Sequence, residues 1–225
     1  MARMERVSLA RKRELEQPDR FLAMFIATSD FVKKYSRQLA IGVGAIALIA
    51  LIIAGSTYFS AKKEASASDM LAQVNRQFQA APDTPLSDIK DRYLSVYEKY
   101  SGTVAGKIAR IQYADICYKA GDLEAAVEAY QDALKHFKKG SITGNLLSAS
   151  LGYAHEKNGD TETAIHNFQT VANDPDTPVK AYALFNLGRL YEDIGDMEKS
   201  REAYQRIVSD YPNSRAAEVA REKTS

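Results

Sequence analysis

Residues 181–214 read AYALFNLGRLYEDIGDMEKSREAYQRIVSDYPNS, and the same pattern occurs twice earlier in the chain. Three 34-residue units therefore align with one another, at residues 107–140, 145–178 and 181–214. A Gly-Asp pair lies near the centre of each unit, at Gly121-Asp122, Gly159-Asp160 and Gly195-Asp196. A glycine closes one helix in the left-handed conformation, and an aspartate accepts from the free N–H groups that begin the next helix. Each unit is predicted to form a helix hairpin.

Small and aromatic side chains recur at fixed distances from each turn glycine. Small residues lie seven positions before the glycine, at Ala114, Gly152 and Gly188, and five positions after it, at Ala126, Ala164 and Ser200. An aromatic ring follows nine positions after the glycine, at Tyr130, Phe168 and Tyr204. Small side chains let two helices cross closely, and a ring supplies the bulk that fills the space between hairpins.

This combination of turns, small residues and rings resembles the tetratricopeptide repeat over about half of the chain. The resemblance implies an all-α fold in which helix hairpins stack into an α-solenoid. Some positions depart from the family pattern, because the first-helix tryptophan is absent and Lys138 and Asp176 replace the usual proline. Cys117 and His155 occupy position 11 of the first two units.

Additional helices are predicted on both sides of the three units. Residues 70–80 and 86–100 have helical patterns, but they lack the Gly-Asp turn and carry Ile89 where a small residue is expected. We interpret residues 60–106 as a degenerate capping hairpin. Residues 215–225 are short and polar, and they are predicted to form a C-terminal capping tail because solenoids need polar terminal caps.

A single transmembrane helix is predicted at residues 39–59, which read LAIGVGAIALIALIIAGSTYF and contain no charge. A helix of this length spans roughly 30 Å, the thickness of the hydrocarbon core of a bilayer. The run is longer than the roughly 7 to 15 apolar residues of a cleaved signal. Charged residues, Lys62, Lys63 and Glu64, also separate it from the small residues 65–67, so we predict a permanent anchor.

The charges on the two sides of this stretch predict its orientation. Residues 1–38 carry nine basic and five acidic side chains, a net charge of +4, whereas residues 60–80 carry three basic side chains. This bias places a basic tail, residues 1–38, in the cytoplasm and the repeats on the other side of the membrane. An amphipathic helix within the tail is predicted to lie on lipid or on a partner protein, from the spacing of Phe21, Leu22, Phe25, Val32 and Tyr35.

No sequence pattern predicts catalysis or a bound cofactor. Residues 102–107 resemble a phosphate-binding loop, but the loop is one residue short and lacks the metal-binding hydroxyl, so a linker is predicted. His136, His155 and His166 lack the spacing of metal ligands, and Cys117 is predicted to be a buried thiol. We therefore expect no enzymatic activity, cofactor, metal or small-molecule substrate. The net charge of the whole chain is only +1, which gives no reason to expect nucleic acid.

The repeat resemblance implies a protein-binding groove lined by first-helix positions 2, 5, 9 and 12 of each unit. These positions hold Ile108, Ile111, Asp115, Tyr118, Leu146, Ala149, Tyr153, Glu156, Tyr182, Phe185, Arg189 and Glu192. The lysines and asparagines with which some family members hold an acidic C-terminus are absent. A lining of aliphatic and aromatic residues suits extended or partly unfolded apolar segments.

The layout of basic tail, single helix and outer repeats resembles the ancillary SecYEG translocon subunit (YfgM-like) family of bacterial inner membranes. This resemblance implies a repeat domain in the periplasm, beside the export channel. The implied partners are the translocon, a membrane-anchored prolyl-isomerase-like chaperone and exported client proteins. The alternative is an envelope scaffold that organises a secretion or outer-membrane assembly complex through one fixed partner.

Overall fold

The computed structural model describes residues 20–81, 83–138 and 140–224. These residues are helical apart from short turns, which confirms the predicted all-α fold class. The helices are α1 (Arg20–Ala80), α2 (Leu86–Tyr100), α3 (Val104–Ala120), α4 (Leu123–Leu134), α5 (Ile142–Lys157), α6 (Thr161–Ala172), α7 (Lys180–Asp193), α8 (Met197–Asp210) and α9 (Arg215–Thr224). Residues 1–17, the most charged part of the predicted tail, lie outside the described residues.

Helix α1 is longer than the helices predicted along it. It includes residues 39–59 and continues to residue 80, because no glycine or proline interrupts residues 60–80. The segment Met24–Ala80 has the length and apolar composition needed to cross a membrane, and its most apolar window has no buried residue. The chain forms two compact units, Met1–Phe59 and Ser60–Ser225.

The second unit begins with a hairpin formed by residues 60–80 and α2. Apolar side chains are buried between the two helices, namely Ala67, Leu71, Val74, Ile89, Tyr93 and Val96. The Tyr93 hydroxyl donates to Asn75 Oδ1 at 2.8 Å and joins α2 to the C-terminal part of α1. Ile89 therefore supplies apolar core where the later hairpins have a small residue.

Helix pairs α3–α4, α5–α6 and α7–α8 are the hairpins of the three repeat units. Their turn glycines adopt the left-handed conformation, with φ of +83° at Gly121, +82° at Gly159 and +79° at Gly195. Asp160 and Asp196 cap the second helices as predicted. Their Oδ1 atoms accept from the N–H groups of Thr163 and Lys199, each at 3.1 Å.

The first turn differs from the other two, because Asp122 does not cap α4. Its carboxylate pairs instead with Lys90 Nζ of α2 at 3.0 Å. A lysine of the preceding hairpin thus takes the place of a backbone N–H group, and the ion pair ties the degenerate hairpin to the first repeat.

Within the second and third hairpins, the aromatic ring of the second helix lies directly against the glycine of the first. A Cβ atom added at Gly188 would lie 2.6 Å from Tyr204 Cε1, and one at Gly152 would lie 2.8 Å from Phe168 Cε2. Phe168 and Tyr204 are almost fully buried. The small residues therefore allow the close crossing that the sequence pattern predicts.

Helix α9 packs on the last hairpin as a single closing helix. Ala217 and Ala220 are buried in the core of the third repeat, whereas most of its other side chains are exposed. These small residues let α9 lie close against α7 and α8.

Candidate protein-binding face

The first-helix face is the side of the repeat array formed by α3, α5, α7 and α9. Side-chain contacts join its neighbouring helices, since the rings of Tyr153 and Tyr182 have centroids 5.9 Å apart and Lys157 Nζ lies 4.6 Å from the centroid of the Tyr118 ring. The predicted groove residues lie on α3, α5 and α7, and the structure places them in two groups that differ in exposure and in bonding.

One group is an apolar row of exposed side chains. Ile108 is 41% exposed, Leu146 48% and Tyr182 52%, and each holds position 2 of its unit. Val219 of α9, also 41% exposed, lies 37 residues after Tyr182, close to the spacing of 36 to 38 residues between the others. The apolar row, defined as Ile108, Leu146, Tyr182 and Val219, therefore has one member on each first helix.

Val219 is absent from the predicted groove, because residues 215–225 are interpreted from the sequence only as a polar cap. The repeat interval is the signal that identifies it. Counting a further 37 residues from Tyr182 along the sequence reaches the one valine of that tail.

The other group is the polar row, defined as Asp115, Glu156, Arg189 and Glu192. Its main link joins the second and third repeats. Arg189 Nη1 donates to Glu156 Oε1 at 2.6 Å, and Nη2 donates to Oε2 at 2.7 Å. Paired, charge-assisted bonds of this kind are strong and directional. They raise the pKa of Arg189 above its usual value. Arg189 also approaches Asp193 at 3.5 Å.

The polar row continues to the C-terminal helix through Glu192. Lys223 Nζ of α9 lies 3.1 and 3.0 Å from the two carboxylate oxygens of Glu192. The Tyr204 hydroxyl donates to the same carboxylate at 3.4 Å. Burial, together with the charge of Glu192, raises the pKa of Tyr204 to about 12. The carboxylate of Glu192 therefore links the third hairpin to the closing helix.

At the N-terminal end of the polar row, Asp115 is bonded within its own hairpin. It accepts from the Tyr130 hydroxyl at 2.6 Å. Burial raises the pKa of Asp115, although the bond from Tyr130 opposes this effect. The backbone carbonyl of Tyr118 accepts from Lys157 of the next repeat at 3.1 Å.

Three of the predicted aromatic residues differ in role. The Tyr153 hydroxyl accepts from Asn186 Nδ2 at 2.7 Å, and its ring packs edge-on against Phe168 with centroids 5.0 Å apart. The ring of Phe185 lies 6.0 Å from that of Tyr204. Tyr153 and Phe185 therefore support the core, whereas Tyr182 is the aromatic side chain of the face that is more than half exposed. Two aliphatic positions are less accessible, since Ile111 is half-buried and Ala149 is buried.

The residues that the sequence analysis considered for catalysis, metal binding or phosphate binding have structural roles. Cys117 is fully buried, and burial raises the pKa of its thiol. His155 Nδ1 lies 3.3 Å from Asp160 Oδ2. A Cβ atom at Gly106 would lie 2.0 Å from the Tyr100 carbonyl oxygen, which explains the glycine in the loop-like stretch. Among residues 20–81, 83–138 and 140–224, no cluster of three His, Cys, Asp or Glu side chains is placed to hold a metal ion.

Stacked helix hairpins with a left-handed glycine turn and a small residue beneath each ring define an α-solenoid of the tetratricopeptide type. The chain belongs to the tetratricopeptide repeat-like domain family, whose model matches residues 29–223. Proteins built from such repeats are interaction modules, and the fold is typical of non-enzymatic scaffolds that bind other proteins.

Solved structures show the same fold at low sequence identity. A tetratricopeptide repeat protein from Parabacteroides merdae is 18% identical, with a TM-score of 0.59, over 71% of this chain and 59% of that chain. The chain thus spans less than two thirds of that relative. MamA is 17% identical, with a TM-score of 0.54, over 71% and 83% of the two chains. BtubC from P. vanneervenii is 15% identical, with a TM-score of 0.52, over 69% and 74%. No curated protein matches the sequence.

Proposed function

We propose that this protein is a membrane-anchored interaction module that receives apolar segments of exported proteins on its first-helix face, outside the cytoplasm. The main observation in support of this proposal is the exposure of the apolar row. Four uncharged side chains are exposed at one repeating position, although burying them would stabilise the isolated domain. An apolar surface of this kind favours a partner that covers it.

The dimensions of the row favour an extended segment as its ligand. Packed helices lie about 8 to 10 Å apart, so a row across four first helices is on the order of 30 Å long. An extended chain advances about 3.3 Å per residue, so roughly nine residues would cover this distance. A segment that is not yet folded offers apolar side chains in that form.

The polar row would contribute little to such a ligand. Its charged side chains already bond neighbouring helices, through the pairs Arg189–Glu156 and Lys223–Glu192. A ligand would have to break those bonds before it could use the charges. Binding would therefore depend on apolar contact along the row, which is compatible with many different client sequences.

The proposed location rests on the charges around the apolar stretch of α1. The excess of basic residues before residue 39 favours a cytoplasmic N-terminus, and with that orientation Ser60–Ser225 would lie in the periplasm of a bacterial cell. A position beside the Sec translocon would bring the first-helix face close to chains as they emerge. A membrane-anchored prolyl-isomerase-like chaperone is the expected companion at that site.

Site-specific photo-crosslinking in cells tests this function. A photoreactive amino acid replaces Leu146 or Tyr182 in the full chain, and the control replaces Gln205, which is exposed on the second helix α8. We expect Leu146 and Tyr182 to crosslink to the translocon and to a broad set of exported proteins, and the control to do neither. One discrete product in place of many would favour the envelope scaffold. Equal products from face and control positions would refute the proposal.

A further inference from the structure

A carboxylate close to the predicted span holds the beginning of α3. Glu64 Oε2 accepts from Val104 N at 2.7 Å, and Glu64 Oε1 accepts from Ala105 N at 2.9 Å. A carboxylate is favourable at a helix N-terminus, where free N–H groups and the helix dipole are positive. The start of α3 is therefore fixed beside residue 64.

Residue 64 is close to the membrane if residues 39–59 span it. Glu64 follows Phe59 by five residues, and even a fully extended chain of that length reaches only about 18 Å. In a helix the same five residues rise about 7.5 Å. The start of α3 is thus restricted to the neighbourhood of the bilayer surface.

The following inter-repeat loop lies on the same edge of the domain. The Tyr97 hydroxyl of α2 donates to Asp132 Oδ2 of α4 at 2.6 Å, and Arg110 Nε of α3 lies 3.5 Å from the same oxygen. These contacts bring the end of α4 next to the end of α2 and the start of α3. The loop edge, defined as residues 99–107, 135–138 and 140–142, is therefore the side of the domain on which these helix ends lie.

Each part of the loop edge exposes an aliphatic side chain at the start of a helix. Val104 is the first residue of α3 and is 62% exposed, and Ile142 is the first residue of α5 and is 63% exposed. Thr103 and Ser141 cap these helices by accepting from Gly106 N and Gly144 N. At α3 the first three N–H groups are therefore bonded, two of them by Glu64 and one by Thr103, as an apolar environment favours.

Basic side chains flank the two tips. Lys62 and Lys63 are exposed beside Glu64, and the loop edge adds Lys99, Lys107, Lys135 and Lys138. Lys135 approaches Asp132 at 3.6 Å, and Glu98 is an exposed carboxylate in the last turn of α2. The six lysines outnumber the carboxylates of this region, which belong to Glu64, Glu98, Asp132 and Asp174, the last of them next to Gly140. Exposed lysines beside an apolar tip are typical of surfaces that bind anionic lipid.

The next inter-repeat loop lacks this character. Asp174, Pro175 and Asp176 follow α6, and Asp174 Oδ2 accepts from Asn145 Nδ2 at 2.6 Å. The third inter-repeat loop is therefore acidic where the first two are apolar and basic.

We propose that the loop edge docks on the bilayer surface, with Val104 and Ile142 among the lipid headgroups and the flanking lysines on anionic lipid. This docking rests on the membrane anchoring proposed above, and it adds a second contact between the protein and the membrane. The partner is the lipid surface itself, because Glu64 holds the start of α3 near the predicted span and the site has the charge opposite to that of anionic headgroups.

Depth-dependent fluorescence quenching of the full chain in nanodiscs tests the docking. In a Cys117→Ala background, single cysteines at Val104, Ile142, Ile194 and Ile49 carry an environment-sensitive label. The discs contain phosphatidylcholine with phosphatidylglycerol and a lipid with a nitroxide on its headgroup. We expect a blue shift and quenching at Val104 and Ile142 but not at Ile194, which is exposed at the third Gly-Asp turn.

The label at Ile49 separates failure of docking from failure of anchoring. A membrane-like emission at Ile49, with Val104 and Ile142 no more quenched than Ile194, would overturn the docking alone. A water-like emission at Ile49 would overturn the anchoring and the docking together.

A charge-reversal pair tests the role of the lysines. Lys62→Glu with Lys63→Glu should reduce quenching at Val104 in anionic discs, and added salt should reduce it for the unaltered protein. The matched control, Lys119→Glu with Arg201→Glu, reverses two exposed charges away from the loop edge and should change nothing. Equal effects of the two variants would overturn the electrostatic part of the proposal.

Discussion

The guanidinium of Arg189 donates to both carboxylate oxygens of Glu156 on the neighbouring first helix, at 2.6 and 2.7 Å. The two side chains are about a quarter to a third exposed, so water screens the pair only in part. The bond joins two hairpins on the face that is proposed to bind ligand. Its strength therefore bears on how firmly the repeats hold their relative orientation.

Breaking this pair should lower stability measurably. Glu156→Gln keeps the shape of the side chain but removes its charge, and we expect the free energy of unfolding to fall by about 1 to 2 kcal/mol. Urea denaturation of a double-mutant cycle with Arg189→Gln measures the coupling. Lys135→Gln is the control, because that lysine is 73% exposed and should cost almost nothing. A coupling close to zero would show that the pair does not brace the array.

Filling the space at Gly188 should destabilise the third hairpin. Because a Cβ atom there would lie 2.6 Å from Tyr204 Cε1, Gly188→Leu forces the buried ring to move. Overpacking typically costs about 1 to 3 kcal/mol. Thermal melts followed by circular dichroism check this result. Gly102→Ala is the matched control, since its Cβ would enter open space. An unchanged melting temperature for Gly188→Leu would contradict the close crossing of α7 and α8.

Removing a buried ring should lower stability, whereas changing exposed side chains of the apolar row should lower client binding. Phe168→Ala removes a fully buried ring and should cost about 3 to 5 kcal/mol. Leu146→Ser with Tyr182→Ser changes half-exposed side chains, so the fold should survive while crosslinking to clients falls. The measurements are urea denaturation and photo-crosslinking from Ile108. If the double variant binds clients normally, the apolar row is not the binding surface.

Removing the buried charge of Asp115 should stabilise the protein at neutral pH. Burial raises the pKa of this carboxyl, so the folded state favours its protonated form, and its contribution to stability is lost as pH rises through the folded pKa. Asp115→Asn keeps an acceptor for the Tyr130 hydroxyl and carries no charge. Melting temperatures should be higher for the variant at pH 7, with a gain that shrinks towards about pH 4. A gain independent of pH would exclude this explanation.

The charge asymmetry around α1 predicts that the repeats lie outside the cytoplasm. Cysteines at Ser8 and Asn213, in a Cys117→Ala background, report the two sides. A membrane-impermeant maleimide added to intact spheroplasts should label position 213, and should label position 8 only after permeabilisation. The reverse pattern would mean that the orientation is inverted.

Local geometry within each hairpin was predictable from sequence, because it depends on residues close together in the chain. The left-handed turns at Gly159 and Gly195 follow from a glycine between two helical patterns. The close crossing at Gly188 follows from a small residue and a ring at fixed intervals. These features repeat, so each unit supports the interpretation of the others.

Contacts between hairpins were less predictable, because they depend on how one hairpin is rotated against the next. Nothing in the repeat pattern indicates that Glu156 meets Arg189, or that Asn186 binds Tyr153. For the same reason the pattern assigns Asp122 a capping role, whereas its carboxylate pairs with Lys90 and makes no capping bond. The family pattern also assigns both Tyr182 and Tyr153 to the groove. In the structure Tyr182 is exposed, whereas Tyr153 supports the core.

The apolar row has one side chain for each first helix, so the number of hairpins would set the length of the segment that the row can bind. Each additional hairpin would lengthen the row by about 10 Å, which corresponds to roughly three residues of extended chain. A relative with one hairpin fewer would then hold a shorter segment, and one with more hairpins a longer one. Repeat number, and not only the identity of the lining residues, would thus set which segments are selected.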